Sequence, residues 1–198
     1  NLVGAAGATL VREGDVLELG APSSGLRSYV AVRRGLGTQQ ALGSRATDTL
    51  GGLGPAPLRT GDMLPPASDE EAHPHVDHAP VRRTDGPLRV VPGPRDDWFD
   101  DDALLALTSS EWRVAPASDR VGVRLSGPAL GRRVPGAELA SEPVVTGALQ
   151  VPADGLPVLL GPDRPTTGGY PVIAVVVDAD IDRAAQLRPG DAVRFRAV

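Results

Sequence analysis

Nine consecutive residues, DRPTTGGYP at 163–171, separate the apolar runs LPVLLG and VIAVVV. A tight turn needs only two residues that tolerate its backbone angles. This stretch instead supplies a carboxylate, a guanidinium, two hydroxyls, two glycines and a phenol, which is a set suited to an anion. Gly168 and Gly169 let backbone N–H groups come close, Thr166 and Thr167 add hydroxyl donors, and Arg164 adds charge. Asp163 either orients Arg164 or serves as a base, and the residues leave both roles open. The competing reading is a glycine-rich connection whose Thr and Asp bond only the loop's own backbone.

Other polar residues stand where strands begin or end. Arg95, in GPRDDWFDDD, reads as a loop-borne anion binder or as the partner of a neighbouring Asp. The five Asp that follow it suit either Mg²⁺ or, more simply, a helix start, where the macrodipole favours negative charge. Ser118 and Arg120 precede the strand VGVRLSG. Glu142 opens a β segment, and Gln150 shares a face with Ala148 and Pro152 by period-two counting. A buried Glu or Gln needs a partner, so each is either paired to an Arg or aimed at a ligand. His73, His75 and His78 hold every imidazole of the chain, in a Pro-broken polar stretch. Metal sites need a rigid backbone and supporting partners, so a solvated segment is expected there and no metal site is assigned.

The elements that must position these groups are mainly β. Strands are expected at 16–19, 28–33, 88–92, 121–127, 144–152, 157–161, 172–178 and 192–198, because these runs are short, rich in Val and Leu, and bounded by Gly, Pro and Asp. The best helix is in WFDDDALLALTSSEW, with Asp100 to Asp102 at its start and Leu104, Leu105 and Leu107 as its apolar stripe. REGD, RTGD and RPGD recur before extended segments and read as turns, with Gly at positive φ and Asp bonding the backbone. Their spacing is irregular, so no repeat architecture is implied. The organisation expected is an incomplete amino-terminal β piece at 1–66, a linker or long loop at 67–86, and a carboxyl-terminal β unit at 87–198.

Composition narrows the function. The 198 residues contain no Cys, which removes disulfides, thiolate metal sites and a Cys nucleophile. All 20 basic residues are Arg, so Schiff-base chemistry and a P-loop lysine are impossible within this chain. A net charge of -5, with two Trp, two Tyr and two Phe, argues against a nucleic-acid partner. Long apolar runs and a basic leader are absent from these residues, so no membrane partner is expected and a cytoplasmic location is the default.

GPRDDWF, SDRVGVRLSGP, ELASEPVVTGALQVPADGLPVLL, DRPTTGGYPVIAVVVDAD and QLRPGDAVRF, in this order, resemble the KipA-like family, whose members are also called the C-type component of 5-oxoprolinase or allophanate hydrolase subunit 2. YVAVRRGL and LGSRATDTL look like the same family's upstream segments. Members carry a further amino-terminal portion with Gln-Asp-Leu-Gly-Arg and Ser-Gly-Ala-Met-Asp type motifs. Neither occurs here, so a fragment or a shortened member is expected.

The resemblance implies a cyclophilin-like β-barrel with one or two short helices. It also implies one component of a hydrolase, inactive alone, that opens 5-oxoproline to glutamate with ATP and Mg as co-substrate, beside a KipI-like B-type component and an A-type component. Under it, Asp163, Arg164, Thr166, Thr167, Tyr170 and Glu142 become catalytic candidates. Arg95, Ser118, Arg120, Gln150, Gly168 and Gly169 become substrate-binding ones. Two alternatives stay open: a carboxyltransferase component of a biotin-dependent urea carboxylase system, and a regulatory protein that binds a KipI-like kinase inhibitor.

Overall fold

Strand-forming runs need hydrogen-bonding partners, and the carboxyl-terminal part of the chain supplies them. The computed structural model describes residues 7–67 and 85–198. The chain divides into two compact units, Pro22–Arg27 with Thr84–Val198, and Asn1–Ala21 with Ser28–Arg83.

In the first of these units, eight strands share one sheet. They are β1 (Leu88–Pro92), β2 (Trp112–Val114), β3 (Gly122–Ser126), β5 (Ala148–Gln150), β6 (Val158–Leu160), β8 (Val172–Val176), β9 (Ala192–Val193) and β10 (Phe195–Ala197). A separate ribbon pairs β4 (Glu142–Pro143) with β7 (Thr167–Gly168). The sheet order is β10-β1-β8-β5-β6-β3-β2-β9. Its two outer strands follow each other in the chain with only Arg194 between them, so one stretch serves both edges and the sheet becomes a nearly closed barrel. Val193 pairs with Trp112 on one side, and Phe195 pairs in parallel with Leu88 on the other. Arg194 O accepts from Leu88 N at 2.8 Å at the seam.

Side-chain alternation places the core. In β3, Val123 and Leu125 are buried while Arg124 and Ser126 face out, and in β2 Trp112 and Val114 are buried around an exposed Arg113. β8 lies inside the sheet and is apolar along its whole length, as a strand covered on both faces must be. Trp112, Phe99, Leu107, Leu125, Leu149, Ile173 and Val90 are fully buried. Trp112 Nε1 donates to Leu107 O at 3.0 Å, so the indole enters the core with its one donor satisfied. A second small cluster joins Val144, Ala148, Leu160 and Val172. The fold is thus the mainly β barrel that the sequence implies.

Two short helices complete it: α1 (Ala103–Ser109) and α2 (Asp178–Ala184). The first follows the Asp100–Asp102 run as its sequence predicts. The second stands where 172–178 reads as strand to its last residue. Within it, Asp180 is buried and accepts from Arg89 N at 2.7 Å, Arg89 Nε at 3.1 Å and Arg89 Nη2 at 3.0 Å, which ties the helix to β1. These bonds hold the Asp180 carboxyl below its ordinary range; burial acts the other way and is outweighed.

The three Arg-x-Gly-Asp turns are alike. Gly14, Gly61 and Gly190 have φ of 86°, 93° and 89°. In each turn the Asp carboxylate accepts from the Arg backbone N–H, at 2.7, 2.6 and 2.8 Å. The return bond runs from Asp N to Arg O at 3.0, 3.1 and 3.0 Å.

The other unit differs from its sequence-based expectation. Residues 16–19 and 28–33 form no strand, and the described pairing in this unit consists of isolated bridges, Leu36 with Pro66, Ala41 with Ser44 and Asp48 with Leu53. Val16, Leu19, Tyr29 and Val32 are exposed. A strand exists only as part of a ladder, and among the described residues these two runs have no neighbour to pair with. Nor is any described helix long and apolar enough to cross a membrane.

Candidate functional site

The loop 163–170 is built against three separate parts of the barrel unit. Its second half, β7, pairs antiparallel with β4, placing Glu142 opposite Gly168 and Pro143 opposite Thr167, and Val144 N extends the ladder to Thr166 O at 3.1 Å. Two-residue strands hold little by themselves, so the ribbon depends on what braces it.

One brace is Arg95. Its backbone N–H reaches Val172 O at 3.2 Å, and its guanidinium grips Glu142 through Nε at 3.0 and 3.2 Å and Nη2 at 2.5 Å. The hydrogen bonds that Arg95 donates to Glu142, followed by the carboxylate's charge, raise the Arg95 pKa above its already high ordinary value. The partner of Arg95 is therefore a carboxylate from a distant segment, and not one of the five Asp beside it.

A second brace lies beneath. In the β5–β8 ladder Leu149 faces Ala174 and Gln150 faces Val172, so Ile173 is an extra residue and the register shifts at Gln150. The extra residue lies on β8, and Ala148, Leu149 and Gln150 are all buried because β5 is covered on both faces. Gln150 Nε2 donates to Tyr170 O at 3.2 Å, and a Cβ on Gly168 would come within 2.4 Å of the same nitrogen. The loop rests directly on the Gln150 amide, which any side chain at 168 would have to displace. Gly169 likewise passes close to Leu139 O, at 3.3 Å from an added Cβ.

The third contact is at the loop's start. Arg120 Nε donates to Asp163 at 2.5 Å, with both side chains about half exposed, 58% and 43%. A pair this exposed contributes little stability, but it gives Asp163 a partner other than Arg164. Ser118 is used by its own turn: its hydroxyl donates to Ala115 O at 2.8 Å and accepts from Arg124 N at 3.0 Å.

The residues named from sequence therefore fall into three groups. Arg95, Glu142, Gln150, Gly168 and the Tyr170 backbone form one connected assembly. Arg120 and Asp163 form a second contact on the same loop. Arg164 stands apart: its backbone N–H meets Gly161 O and its Nη1 meets Pro165 O at 3.0 Å, but no carboxylate pairs with it among the described residues. Its Nε is buried without a hydrogen-bond partner. Thr166, Thr167 and Tyr170 are exposed beside it. Among the described residues, the site has one guanidinium without a carboxylate partner, close in sequence to two hydroxyl residues, while Glu142 and Asp163 are engaged by other Arg residues. No described group of His, Asp and Glu is arranged to hold a metal. His73, His75 and His78 lie outside the described residues.

Residues 3–197 match the family model described as the carboxyltransferase domain, subdomains A and B. The chain belongs to this family. It is 35% identical over 191 residues to the C-type component of 5-oxoprolinase from Haemophilus influenzae, a match that covers 95% of this chain and 61% of that protein. The corresponding protein of Escherichia coli K12 is also 35% identical, with 93% of this chain and 60% of the relative covered. This member of the carboxyltransferase family therefore spans about three-fifths of the length of these relatives. Urea amidolyase of Saccharomyces cerevisiae is 32% identical over 212 residues, covering 93% of this chain and 11% of the enzyme. Among solved structures, Kluyveromyces lactis urea carboxylase superposes with a TM-score of 0.76 at 26% identity, covering 89% of this chain and 18% of that one. The KipA-like resemblance carried by the five ordered motifs is thereby borne out.

Proposed function

We propose that this carboxyltransferase-family domain acts in a cytoplasmic, ATP-dependent 5-oxoprolinase as its C-type component, with a KipI-like B-type component and an A-type component. The likeness to curated proteins of the C type over nearly the whole chain supports the reaction. One observation carries the site: among the described residues, Arg164 is the guanidinium at the loop that no carboxylate neutralises. A substrate that is itself a small carboxylate, and that takes on further negative charge as it reacts, would find its counter-charge there.

The difficulty of the reaction is the lactam carbonyl, a poor electrophile. Transfer of the ATP γ-phosphoryl to the carbonyl oxygen, or equivalent stabilisation of an oxyanion, lets water add to the carbon. The ring C–N bond then breaks with a proton to nitrogen, and glutamate, phosphate and ADP result. Within this chain, Arg164 would hold the anionic end, and the Thr166 and Thr167 hydroxyls would donate to the developing oxyanion. Glu142 and Asp163 serve as orienting acceptors for Arg95 and Arg120. ATP and its Mg²⁺ would arrive with the assembled complex.

The test is ATP-dependent glutamate release from 5-oxoproline by the protein with its two partner components, alongside Arg164→Ala and Thr167→Ala. Collapse of activity in both variants, with assembly intact, is the expected result. No activity in the intact parent complex would reject this reading. The urea amidolyase and urea carboxylase relatives support a second one, carboxyl transfer from carboxybiotin, and a biotin requirement would then replace the 5-oxoproline requirement. Tight binding to a KipI-like partner with neither activity would leave regulation.

A further inference from the structure

Six residues remote in the chain belong to the barrel unit. Pro22–Arg27 groups with Thr84–Val198, and the short stretch after α2 holds it there. Gln186 Oε1 accepts from both Leu26 N and Arg27 N at 2.8 Å, while its Nε2 donates to Arg27 O at 3.2 Å. Arg188 Nε donates to Gly25 O at 2.6 Å and its Nη2 to Pro22 O at 2.8 Å. Arg27 Nη1 returns a bond to Ala185 O.

These side-chain bonds of Gln186 and Arg188 all end on main-chain atoms of the segment. The two side chains therefore recognise the course of a chain. Besides the Arg27 side chain, the corner demands Gly25, whose φ is +74° and whose added Cβ would lie 2.8 Å from Gln186 Oε1. An L side chain there would be strained and would also strike the amide that holds its neighbours. The contact is polar and shallow, since Leu26, the segment's one large apolar residue, remains 41% exposed.

We propose that Gln186 and Arg188 form a latch that binds a glycine-bearing segment through its main chain, and that Pro22–Arg27 occupies it in cis and can leave without the barrel unfolding. Segments held by surface hydrogen bonds with little apolar burial open locally, at lower free energy than a core strand. An open latch exposes a docking corner for another segment of the same kind.

Hydrogen exchange on the whole protein, on Gly25→Ala and on Gln186→Leu tests this. The Leu26 and Arg27 amides should exchange at least tenfold faster in both variants, while Leu149 and Ile173 keep their protection. Synthetic Pro-Ser-Ser-Gly-Leu-Arg at millimolar concentration should shift the Gln186 side-chain amide resonance in Gly25→Ala, where the latch is intact but vacated. In Gln186→Leu the same peptide should cause no slowing of tryptic cleavage after Arg27 or other sign of binding. Unchanged exchange at Leu26 and Arg27 would overturn the proposal. So would loss of protection at Leu149 and Ile173 together with the segment, or no peptide effect in Gly25→Ala.

Discussion

Glu142 and Arg95 are joined side by side, with Nε 3.0 Å and Nη2 2.5 Å from the same carboxylate oxygen. Glu142 is also the register partner of Gly168. The pair thus fixes the strand on which the site loop is laid. Glu142→Gln keeps the shape but removes the charge, and it should lower kcat on the order of 10²-fold with a smaller change in KM, as expected when reacting groups are misplaced by about an ångström. Exchanging the two residues, Arg95→Glu with Glu142→Arg, should recover part of the loss. Steady-state kinetics of the assembled complex check both, and an exchange mutant no better than Arg95→Glu alone would rule out a positioning role.

Arg164 should behave differently. Its guanidinium is the uncommitted charge, so Arg164→Gln should weaken binding of an anionic substrate and cut kcat/KM by roughly 10- to 100-fold, the range for losing a hydrogen bond to a charged group. Added salt should narrow the gap between parent and variant. A variant with unaltered kcat/KM would show that the substrate charge is met elsewhere.

Gly168 lies against the Gln150 amide. Gly168→Ala brings a methyl group to 2.4 Å from the Gln150 amide nitrogen and should destabilise the unit by about 1–3 kcal/mol. Combining it with Gln150→Ala removes the obstacle, so the two changes should be less than additive in urea unfolding. Strict additivity would show that the loop does not rest on Gln150.

Asp180 gives the barrel a pH dependence of definite sign. Its folded pKa lies below its ordinary value of 3.8, chiefly because Arg89 donates to the carboxylate. The folded state therefore binds the proton more weakly than the unfolded chain. The stabilisation is present above about pH 4 and is lost as pH falls through the depressed folded value. Asp180→Asn should be less stable than the parent at pH 7, and the difference should shrink towards pH 2. Thermal unfolding across that range tests it, and a gap that does not vary with pH would remove Arg89 as the cause.

How much of this can be read from sequence follows from how local each feature is. The alternation of Val123, Arg124, Leu125 and Ser126, the Arg-x-Gly-Asp turns and the Asp-rich start of α1 are short-range patterns, and each is realised. Asp178 ends an unbroken apolar run, so nothing before it signals that α2 begins there. Trp112 and Val114 are hidden behind the helical pattern just ahead of them. The pairings of Arg95 with Glu142 and Arg120 with Asp163 depend on which loops the barrel brings together, and no spacing encodes that. Counting in twos gives Gln150 a face, but not that both faces of its strand are covered or that Tyr170 O is its partner. Residues 16–19 and 28–33 have strand composition, but composition supplies no partner.

The closing of the barrel by residues 192–197 also sets an order of events during folding. Leu88 and Trp112 lie on strands that emerge early, yet each waits for one late segment before its outer edge is satisfied. Until Val193 and Phe195 arrive, the nascent unit carries two open edges at once, each able to recruit a foreign strand. Contacts this distant along the chain also slow folding. The late segment therefore acts as a timing element, and how long it is delayed decides how long the protein is exposed to misassembly.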